Sequence, residues 1–289
     1  MRAVVYTKYG DPSVLSTQEV GKPAPAPNEL LVEVHATEVT KADCEMRSFN
    51  FPTKLFVVPL RLVFGITKPK KNVLGLYFAG EVAAVGSEVT RFNVGDKIFG
   101  SSQLKLGGYA EYLCVPEHYT LTTQPKNISH AESASLTLGG LNALHFMNLA
   151  DLKKGDRIMI IGAGGSIGLH AVQMAKAAGA LVTAVDHGRK EDMLRQIGAD
   201  DFIDYTKQSF SNNAEKYDVI FNMIVSTPFK SCINMLNEKG LYLMGNPTLS
   251  DMIQTKLTNT FSTKRANFSF ASETVTELEA LRNKVESGD

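Results

Sequence analysis

The segment Arg157-Ile158-Met159-Ile160-Ile161-Gly162-Ala163-Gly164-Gly165-Ser166-Ile167-Gly168 restricts the fold of this chain more than any other. An apolar run passes without a spacer into a glycine cluster, and helical periodicity starts at once behind it. Strand, tight turn and helix in that order open a βαβ unit. The spacing is G-x-x-G-x-x-G over Gly162, Gly165 and Gly168, with Gly164 as an extra glycine, a variant of the usual G-x-G-x-x-G. One glycine lets the chain reverse, a second lets backbone N–H groups approach a pyrophosphate, and Gly168 lets the helix pack closely on the strand. The helix N-terminus would then face a diphosphate. A tight turn without a ligand is the other reading of the same residues.

The surrounding sequence repeats the pattern. Strands at Arg157–Ile161, Leu181–Asp186, Phe202–Ile203, Asp218–Asn222 and Leu241–Met244 alternate with helices at Ser166–Ala178, Lys190–Ile197 and Thr227–Leu236. Such alternation predicts a parallel sheet covered by helices. In the first helix Ile167, Ala171, Met174, Ala175 and Ala178 share one face, as a helix packed on a sheet requires. Gly179, Gly198 and Gly240 each follow a helix and suit a left-handed C-cap.

Residues 1 to 120 differ. Ala3–Tyr6, Leu30–Ala36, Gly80–Gly86, Asp96–Gly100 and Tyr109–Val115 are short apolar or alternating runs, separated by Pro23–Asn28, Asn93–Asp96 and Gly107-Gly108. They predict a small barrel or sandwich. The interrupted apolar stretch Leu136–Leu149 predicts a packed helix, and Glu273–Asp289 a polar amphipathic one with Val275, Leu278, Leu281 and Val285 as its stripe. With 289 residues the chain has room for two domains.

Composition narrows the partners. Thirty Lys and Arg balance thirty Asp and Glu, so bulk electrostatics hold neither nucleic acid nor an anionic membrane. No apolar run reaches the length of a membrane span. Three scattered cysteines, Cys44, Cys114 and Cys232, make no disulfide framework, and the expected compartment is the reducing cytoplasm. A small-molecule substrate is the expected partner.

The second strand ends at Asp186, eighteen residues beyond Gly168. A carboxylate there accepts hydrogen bonds from the adenine-ribose hydroxyls and favours NADH. Arg189 and Lys190 follow at once, and they pair with the 2′-phosphate of NADPH. The two signals conflict, so the residues leave NADH and NADPH open.

Taken together these residues resemble the medium-chain dehydrogenase/reductase superfamily. The similarity rests on Gly162–Gly168, Ala171–Lys176, Leu194–Asp200 and Ile203–Tyr205 in the second half. In the first half it rests on Phe78–Val82, Val94–Gly100 and Gly107–Tyr112. Among its branches the chain is most similar to the zinc-independent quinone oxidoreductase-like group. The resemblance implies a fold of class α/β, a Rossmann doubly wound parallel sheet plus a β-rich GroES-like barrel domain. It implies domains at 1–124 (GroES-like, catalytic) and 125–264 (Rossmann), with 265–289 returning to the first domain. It also implies cofactor contacts from Gly162, Gly164, Gly165, Ser166, Ile167, Gly168, Asp186, Arg189, Lys190, Tyr205 and Gly245. Members continue for roughly forty residues past 273–289, so the return segment is expected to be truncated.

Zinc-dependent relatives carry Cys where this chain has Thr40, Gly-His-Glu where it has Gly75-Leu76-Tyr77, and a third thiolate where it has Leu138. Their proton-relay hydroxyl is Ala42 here. A catalytic zinc needs three converging N, S or O ligands, so no zinc is expected. Without a metal, carbonyl polarisation falls to hydrogen-bond donors. Thr40, Asp43 and Tyr77 are the candidates: Thr40 as a donor to a substrate oxygen, Asp43 as the group fixing the loop, Tyr77 as a proton donor. Loop capping or wall packing is the alternative for each. Asn222-Met223 stands where relatives usually show an acid and a glycine. The expected activity is NAD(P)H-dependent hydride transfer to a quinone, an enone or a similar activated carbonyl. The alternatives are a metal-free alcohol or aldehyde dehydrogenase and a low-turnover NAD(P)H-binding regulator. A homodimer is expected, paired through the β-prone run Asn267–Phe270. The generic apolar residues of Phe49–Phe64 do not identify the substrate.

Overall fold

The computed structural model describes residues 1–51, 57–212 and 214–288, apart from the side chains of Val57, Val58 and Asn212. Part of the apolar stretch Phe49–Phe64, residues 52–56, therefore lies outside the described residues, as does Asp289, the last residue of the helix expected over Glu273–Asp289. The chain divides into two compact units, Met1–Thr137 with Thr274–Gly288, and Leu138–Glu273.

In the first unit the strands are β1 (Arg2–Tyr6), β2 (Leu15–Glu19), β3 (Glu29–Thr37), β4 (Tyr77–Val85), β5 (Lys97–Ser101), β6 (Tyr112–Pro116) and β7 (Leu121–Thr123). Five of them form an antiparallel sheet in the order β6-β3-β4-β5-β7, and β1 pairs with β2. Alternation along these strands buries Leu30, Val32, Phe78, Val82, Ile98, Leu113, Val115 and Leu121 in one cluster. Two short helices lie between β3 and β4, α1 (Lys41–Ser48) and α2 (Val57–Phe64), and neither has a period long enough to read from sequence.

The long helix α3 (His130–Ala150) contains the division between the units. The second unit then runs β8 (Arg157–Ile161), α4 (Ser166–Ala177), β9 (Leu181–Asp186), α5 (Glu191–Gln196), β10 (Asp201–Asp204), β11 (Tyr217–Asn222), α6 (Phe229–Met235), β12 (Leu236–Met244), α7 (Leu249–Phe261) and β13 (Arg265–Phe268). All six strands are parallel, in the order β10-β9-β8-β11-β12-β13. Counted within the unit that is 3-2-1-4-5-6, the doubly wound order whose direction reverses between β8 and β11.

Strand periodicity places the core on both faces. Ile158 and Ile160 of β8 point with Val182, Ala184 and Phe221 toward Phe146 of α3 and Ala171, Val172 and Ala175 of α4. Met159 and Ile161 point the other way, with Val185, Ile220 and Tyr242, onto Phe229, Cys232 and Met235 of α6. Each face buries its residues almost completely, so the strands read as unbroken apolar runs.

Two expectations from the sequence are overturned here. Gly179 and Gly198 take positive φ behind their helices, but Gly240 lies inside β12 and the left-handed residue beside it is Lys239, at φ 64°. Arg265–Phe268, grouped by sequence with the returning segment, is the sixth strand of the parallel sheet. The segment that joins the first unit is α8 (Val275–Ser287), held by Asn127 Nδ2 to the Val285 carbonyl at 2.7 Å and Arg282 to Thr123 Oγ1 at 2.7 Å. The run Asn267–Phe270, expected to pair between copies, follows Ala266 directly. Both backbone groups of Ala266 are taken within the chain by the Asn259 amide, at 2.8 and 2.9 Å.

No helix among the described residues is long and apolar enough to cross a membrane.

Candidate cofactor site and loop residues

The glycine turn sits at the C-terminal end of β8, beside the reversal point of the sheet. Gly162 has φ 85° and its N–H bonds the Val185 carbonyl at 3.0 Å, which starts the reversal. Gly165 is the N-cap of α4 and has no side chain to offer, so α4 begins without side-chain capping of its first N–H groups. Those groups, with the positive end of the helix dipole, are what an anion would occupy. Gly168 serves packing: a Cβ there would lie 2.4 Å from the Gly162 carbonyl oxygen and 2.5 Å from that of Ala163. Ser166 lies against α3, where a Cβ on Gly139 would meet its Oγ at 2.5 Å. Ile167 packs at the edge of the apolar core.

Asp186 closes the turn from β9. One carboxylate oxygen accepts the Gly164 N–H at 2.7 Å, the other accepts the His187 N–H at 2.7 Å, and Lys190 Nζ stands 3.0 Å away. Lys190 also donates to the Gly164 carbonyl at 2.9 Å. The acid and the base that gave conflicting signals are therefore partners, and the ammonium offsets the carboxylate's charge. Arg189 is exposed beside them, and its backbone N–H bonds His187 Nδ1 at 3.2 Å. Tyr205, 56% exposed, sets its ring edge-on to His187 with centroids 6.2 Å apart. Gly245 follows β12 and donates its N–H to the Asn222 carbonyl at 3.1 Å; a Cβ there would lie 2.4 Å from the Met223 sulfur. The expected cofactor residues thus gather at the C-terminal ends of β8, β9, β10 and β12.

Sequence reasoning did not find the neighbours of Gly162. Ile224 lies where a Gly162 Cβ would be, at 2.9 Å, and the loop that carries it is built by Asn222. Asn222 Oδ1 accepts from the Ile224 N–H (2.9 Å) and Thr227 Oγ1 (3.1 Å), while Nδ2 donates to the Ile224 carbonyl (3.1 Å) and the Tyr242 hydroxyl (2.9 Å). Only an amide both donates and accepts in this way, so the usual acid would lose two of these bonds. Burial pushes the Tyr242 hydroxyl upward and the Cys232 thiol up to about 12.

In the first unit, Thr40 and Asp43 are engaged with each other. Thr40 is the N-cap of α1: its Oγ1 donates to Asp43 Oδ2 at 2.6 Å and accepts the Asp43 N–H at 3.2 Å. Asp43 accepts the Thr40 N–H at 3.0 Å in return, a capping box. Its second oxygen accepts the Gly75 N–H at 3.1 Å, tying α1 to the Gly75-Leu76-Tyr77 segment. Both side chains are buried, so the Thr40 hydroxyl is committed to the cap. Tyr77 starts β4 with its side chain buried, and its carbonyl accepts from Thr37 Oγ1 at 2.8 Å. Tyr109 lies nearby; burial, then the charge of Asp43, pushes its hydroxyl upward. Leu76 packs against the apolar cluster of Tyr6, Met46, Leu74 and Leu106. Within this unit, Thr40 and Leu76 present no thiolate, imidazole or carboxylate to a zinc ion.

Comparison with known proteins agrees with both halves. The family described as "Alcohol dehydrogenase GroES-like domain" matches residues 26–125, and the one described as "Zinc-binding dehydrogenase" matches 166–278. The chain is 32% identical over 256 residues to the chloroplast envelope quinone oxidoreductase homolog of Arabidopsis thaliana, covering 83% of this chain and 73% of that one. It is 30% identical over 234 residues to the 2-methylene-furan-3-one reductase of Solanum lycopersicum, with 78% of this chain matched but only 57% of the longer relative. The solved quinone oxidoreductase of Coxiella burnetii superposes with a TM-score of 0.85 at 27% identity, over 100% of this chain and 88% of that one. With the 3-2-1-4-5-6 sheet, the glycine turn and these matches in agreement, the chain belongs to the medium-chain dehydrogenase/reductase superfamily, in its quinone oxidoreductase-like branch.

Proposed function

We propose that the chain is a zinc-free, NAD(P)H-dependent oxidoreductase that reduces a quinone, an enone or a similar activated carbonyl. The observation that carries this is the uncapped N-terminus of α4 behind a glycine turn, beside the reversal point of a doubly wound sheet. Bound NAD(P)H supplies the hydride. Gly162, Gly164, Gly165, Ser166, Ile167 and Gly168 shape the pyrophosphate cradle, while Asp186, Arg189, Lys190 and Tyr205 surround the adenine ribose, and Gly245 borders the loop of Asn222. The names of relatives support the acceptor class, a quinone in Arabidopsis and a furanone with an exocyclic alkene in tomato. Thr40 and Asp43 act by positioning the loop ahead of Gly75. Tyr77 is the proposed proton donor, and water serves quinone-like acceptors as well. The zinc positions Thr40, Leu76 and Leu138 support a metal-free reaction. The same reading makes the chain a cytoplasmic homodimer, with three cysteines scattered too far apart in sequence to suggest a disulfide framework.

NADH and NADPH oxidation against a panel of benzoquinones, naphthoquinones and enones tests the activity. Turnover with at least one acceptor is expected. Micromolar cofactor binding with no turnover on any acceptor would instead make the chain an NAD(P)H-binding regulator, while oxidation of simple alcohols would make it a metal-free alcohol dehydrogenase.

The pairing of Lys190 with Asp186 supports NADPH over NADH. With its charge already offset, Asp186 repels a 2′-phosphate less, and Lys190 has only to swing from one anion to another. Lys190→Ala is expected to weaken NADPH binding about ten-fold, roughly 1.4 kcal/mol, and to leave NADH within about two-fold. Asp186→Ser should shift the ratio further toward NADPH. Fluorescence titration with both cofactors measures it, and an unchanged ratio in both variants would remove these two residues as the selector.

A further inference from the structure

The zero net charge of the chain hides one strongly asymmetric stretch. Between Glu45 and Glu81 the sequence contains no acid, yet α2 and its connection to β4 carry Arg61, Lys68, Lys70 and Lys71. The same surface is apolar. Leu62 and Val63 of α2 are 62% and 51% exposed, Ile66 just beyond it is 66% exposed, and Leu104 is 59% exposed. Phe64 turns the other way, against the cluster of Tyr6, Met46, Leu74 and Leu106, so α2 is seated and these side chains are what it leaves outside.

Hydrogen bonds join the cations to the apolar residues. Lys70 Nζ donates to the Leu62 carbonyl at 2.5 Å, Lys71 Nζ to the Leu104 carbonyl at 2.7 Å, and Arg61 to the Ile66 carbonyl at 2.9 Å. The turn itself is held. The Tyr9 hydroxyl donates to the Gly65 carbonyl at 2.9 Å, and the Lys70 N–H to the Phe64 carbonyl at 2.8 Å. Ile66 is therefore presented by a braced turn. Lys105, at the edge, is spent on Glu29. Among the described residues no carboxylate pairs with the exposed Lys68, Lys70 or Lys71.

This mixture selects its occupant. An anionic bilayer offers phosphates to the ammonium groups and an acyl boundary to the aliphatic side chains, at the same depth. An acidic protein surface fits less well, because the centre of a protein interface is depleted of charge, and here cations and apolar residues interleave. Nucleic acid fits less well too. It has phosphates for the lysines but little use for four exposed aliphatic side chains, and none of the four is a ring on which a base could stack. No helix among the described residues is long and apolar enough to span a bilayer, so the contact is interfacial.

We infer that the outer side of α2, the turn Gly65–Lys71 and Leu104 form a surface that seats the chain on an anionic lipid bilayer. Zero net charge removes bulk attraction to such a bilayer, and the local excess of cations supplies it at this one place. The inference does not depend on the reaction proposed above.

Co-sedimentation of the full chain with vesicles tests it. At about 50 mM NaCl the chain is expected to bind phosphatidylcholine vesicles containing about 30% phosphatidylglycerol at least ten-fold more tightly than pure phosphatidylcholine, and to lose most of that preference at about 500 mM. Lys68→Glu with Lys70→Glu should lower the partition coefficient about 100-fold. Leu62→Ser with Ile66→Ser leaves the charge alone and should lower it about ten-fold. Lys153→Glu with Lys284→Glu makes the same change in net charge at exposed positions outside the stretch, and should stay within about three-fold of the wild type. Every variant should melt where the wild type does, since all the substituted side chains are exposed. A wild-type chain that ignores the anionic vesicles overturns the inference. So does equal weakening by the two lysine pairs, which would make net charge the cause. Binding to poly-glutamate or single-stranded DNA without binding to the vesicles overturns it in favour of an acidic protein or a nucleic acid.

Discussion

Gly168→Ala is expected to cost the chain its cofactor and part of its stability together. The added Cβ falls 2.4 Å from the Gly162 oxygen, 2.5 Å from the Ala163 oxygen and 2.7 Å from the Ala163 carbonyl carbon. All three are backbone atoms of the turn, so no side chain can rotate away. Helix α4 has to move off β8, which opens the cradle and disturbs the contacts of Ala171, Val172 and Ala175 with the sheet. Overpacking of this kind costs about 1–3 kcal/mol, a fall of roughly 3–10 °C in melting temperature for a chain of this size. Affinity for NAD(P)H should fall about 100-fold, because the uncapped N–H groups of α4 no longer aim at one point. Gly165→Ala separates the two effects. Its φ is −88° and its Cβ meets only the Gly162 oxygen, at 3.4 Å, so the fold should melt where the wild type does. The methyl nevertheless projects at the first turn of α4, and binding should weaken about ten-fold. Thermal melts and fluorescence titration of both variants decide it. Wild-type affinity in Gly168→Ala would mean that the turn does not hold the cofactor.

How much of this was legible depends on which residues carry their own instructions. Ile158–Gly168 and the strands behind it were readable because their signal is local: apolar runs of strand length, glycine at the turn, helical period after it. The antiparallel sheet was readable as a class but not as an order, since β6 pairs with β3 across some eighty residues and nothing in Leu113 or Val115 names Leu30 or Val32 as partners. Helix α7 was missed because its periodic residues face outward and its inward side is Thr255 and Asn259, so it does not look like a helix with a core to cover. Arg265–Phe268 was misassigned because a four-residue strand has too short a pattern to declare its sheet. At the site, the conflict between Asp186 and Lys190 could not be resolved from sequence. Each residue taken singly suits a nucleotide, whereas in the structure they bind each other, directly and through the Gly164 backbone. Asn222 looked like a departure from pattern, and only its four hydrogen bonds show that it organises the loop beside Gly162.

The second large effect is expected at Asp43, and it distinguishes a structural role from a chemical one. Asp43 is 2% exposed and accepts three hydrogen bonds, from Thr40 N, Thr40 Oγ1 and Gly75 N. Asp43→Ala leaves all three donors buried without a partner. Loss of the cap costs about 1 kcal/mol and each stranded donor about 1–3 kcal/mol before relaxation, so a destabilisation of roughly 3–5 kcal/mol is expected. The damage should extend to the Gly75 segment. Gly75 sits at φ 100° with no room for a Cβ, its would-be position lying 2.7 Å from the Gly108 Cα and the Tyr109 N, so it is held in place only by its neighbours. Asp43→Asn keeps the shape and one acceptor oxygen, and should recover about half of the loss. Thr40→Ser, which preserves the hydroxyl, should melt within about 0.5 kcal/mol of the wild type, whereas Thr40→Val should not. A residue that acts on substrate predicts the opposite order: Asp43→Asn would lose turnover by orders of magnitude while melting normally. If Asp43 fixes the loop, turnover per folded molecule in Asp43→Asn should stay within about ten-fold of the wild type. Melting temperature and turnover, measured on the same preparations, separate the two.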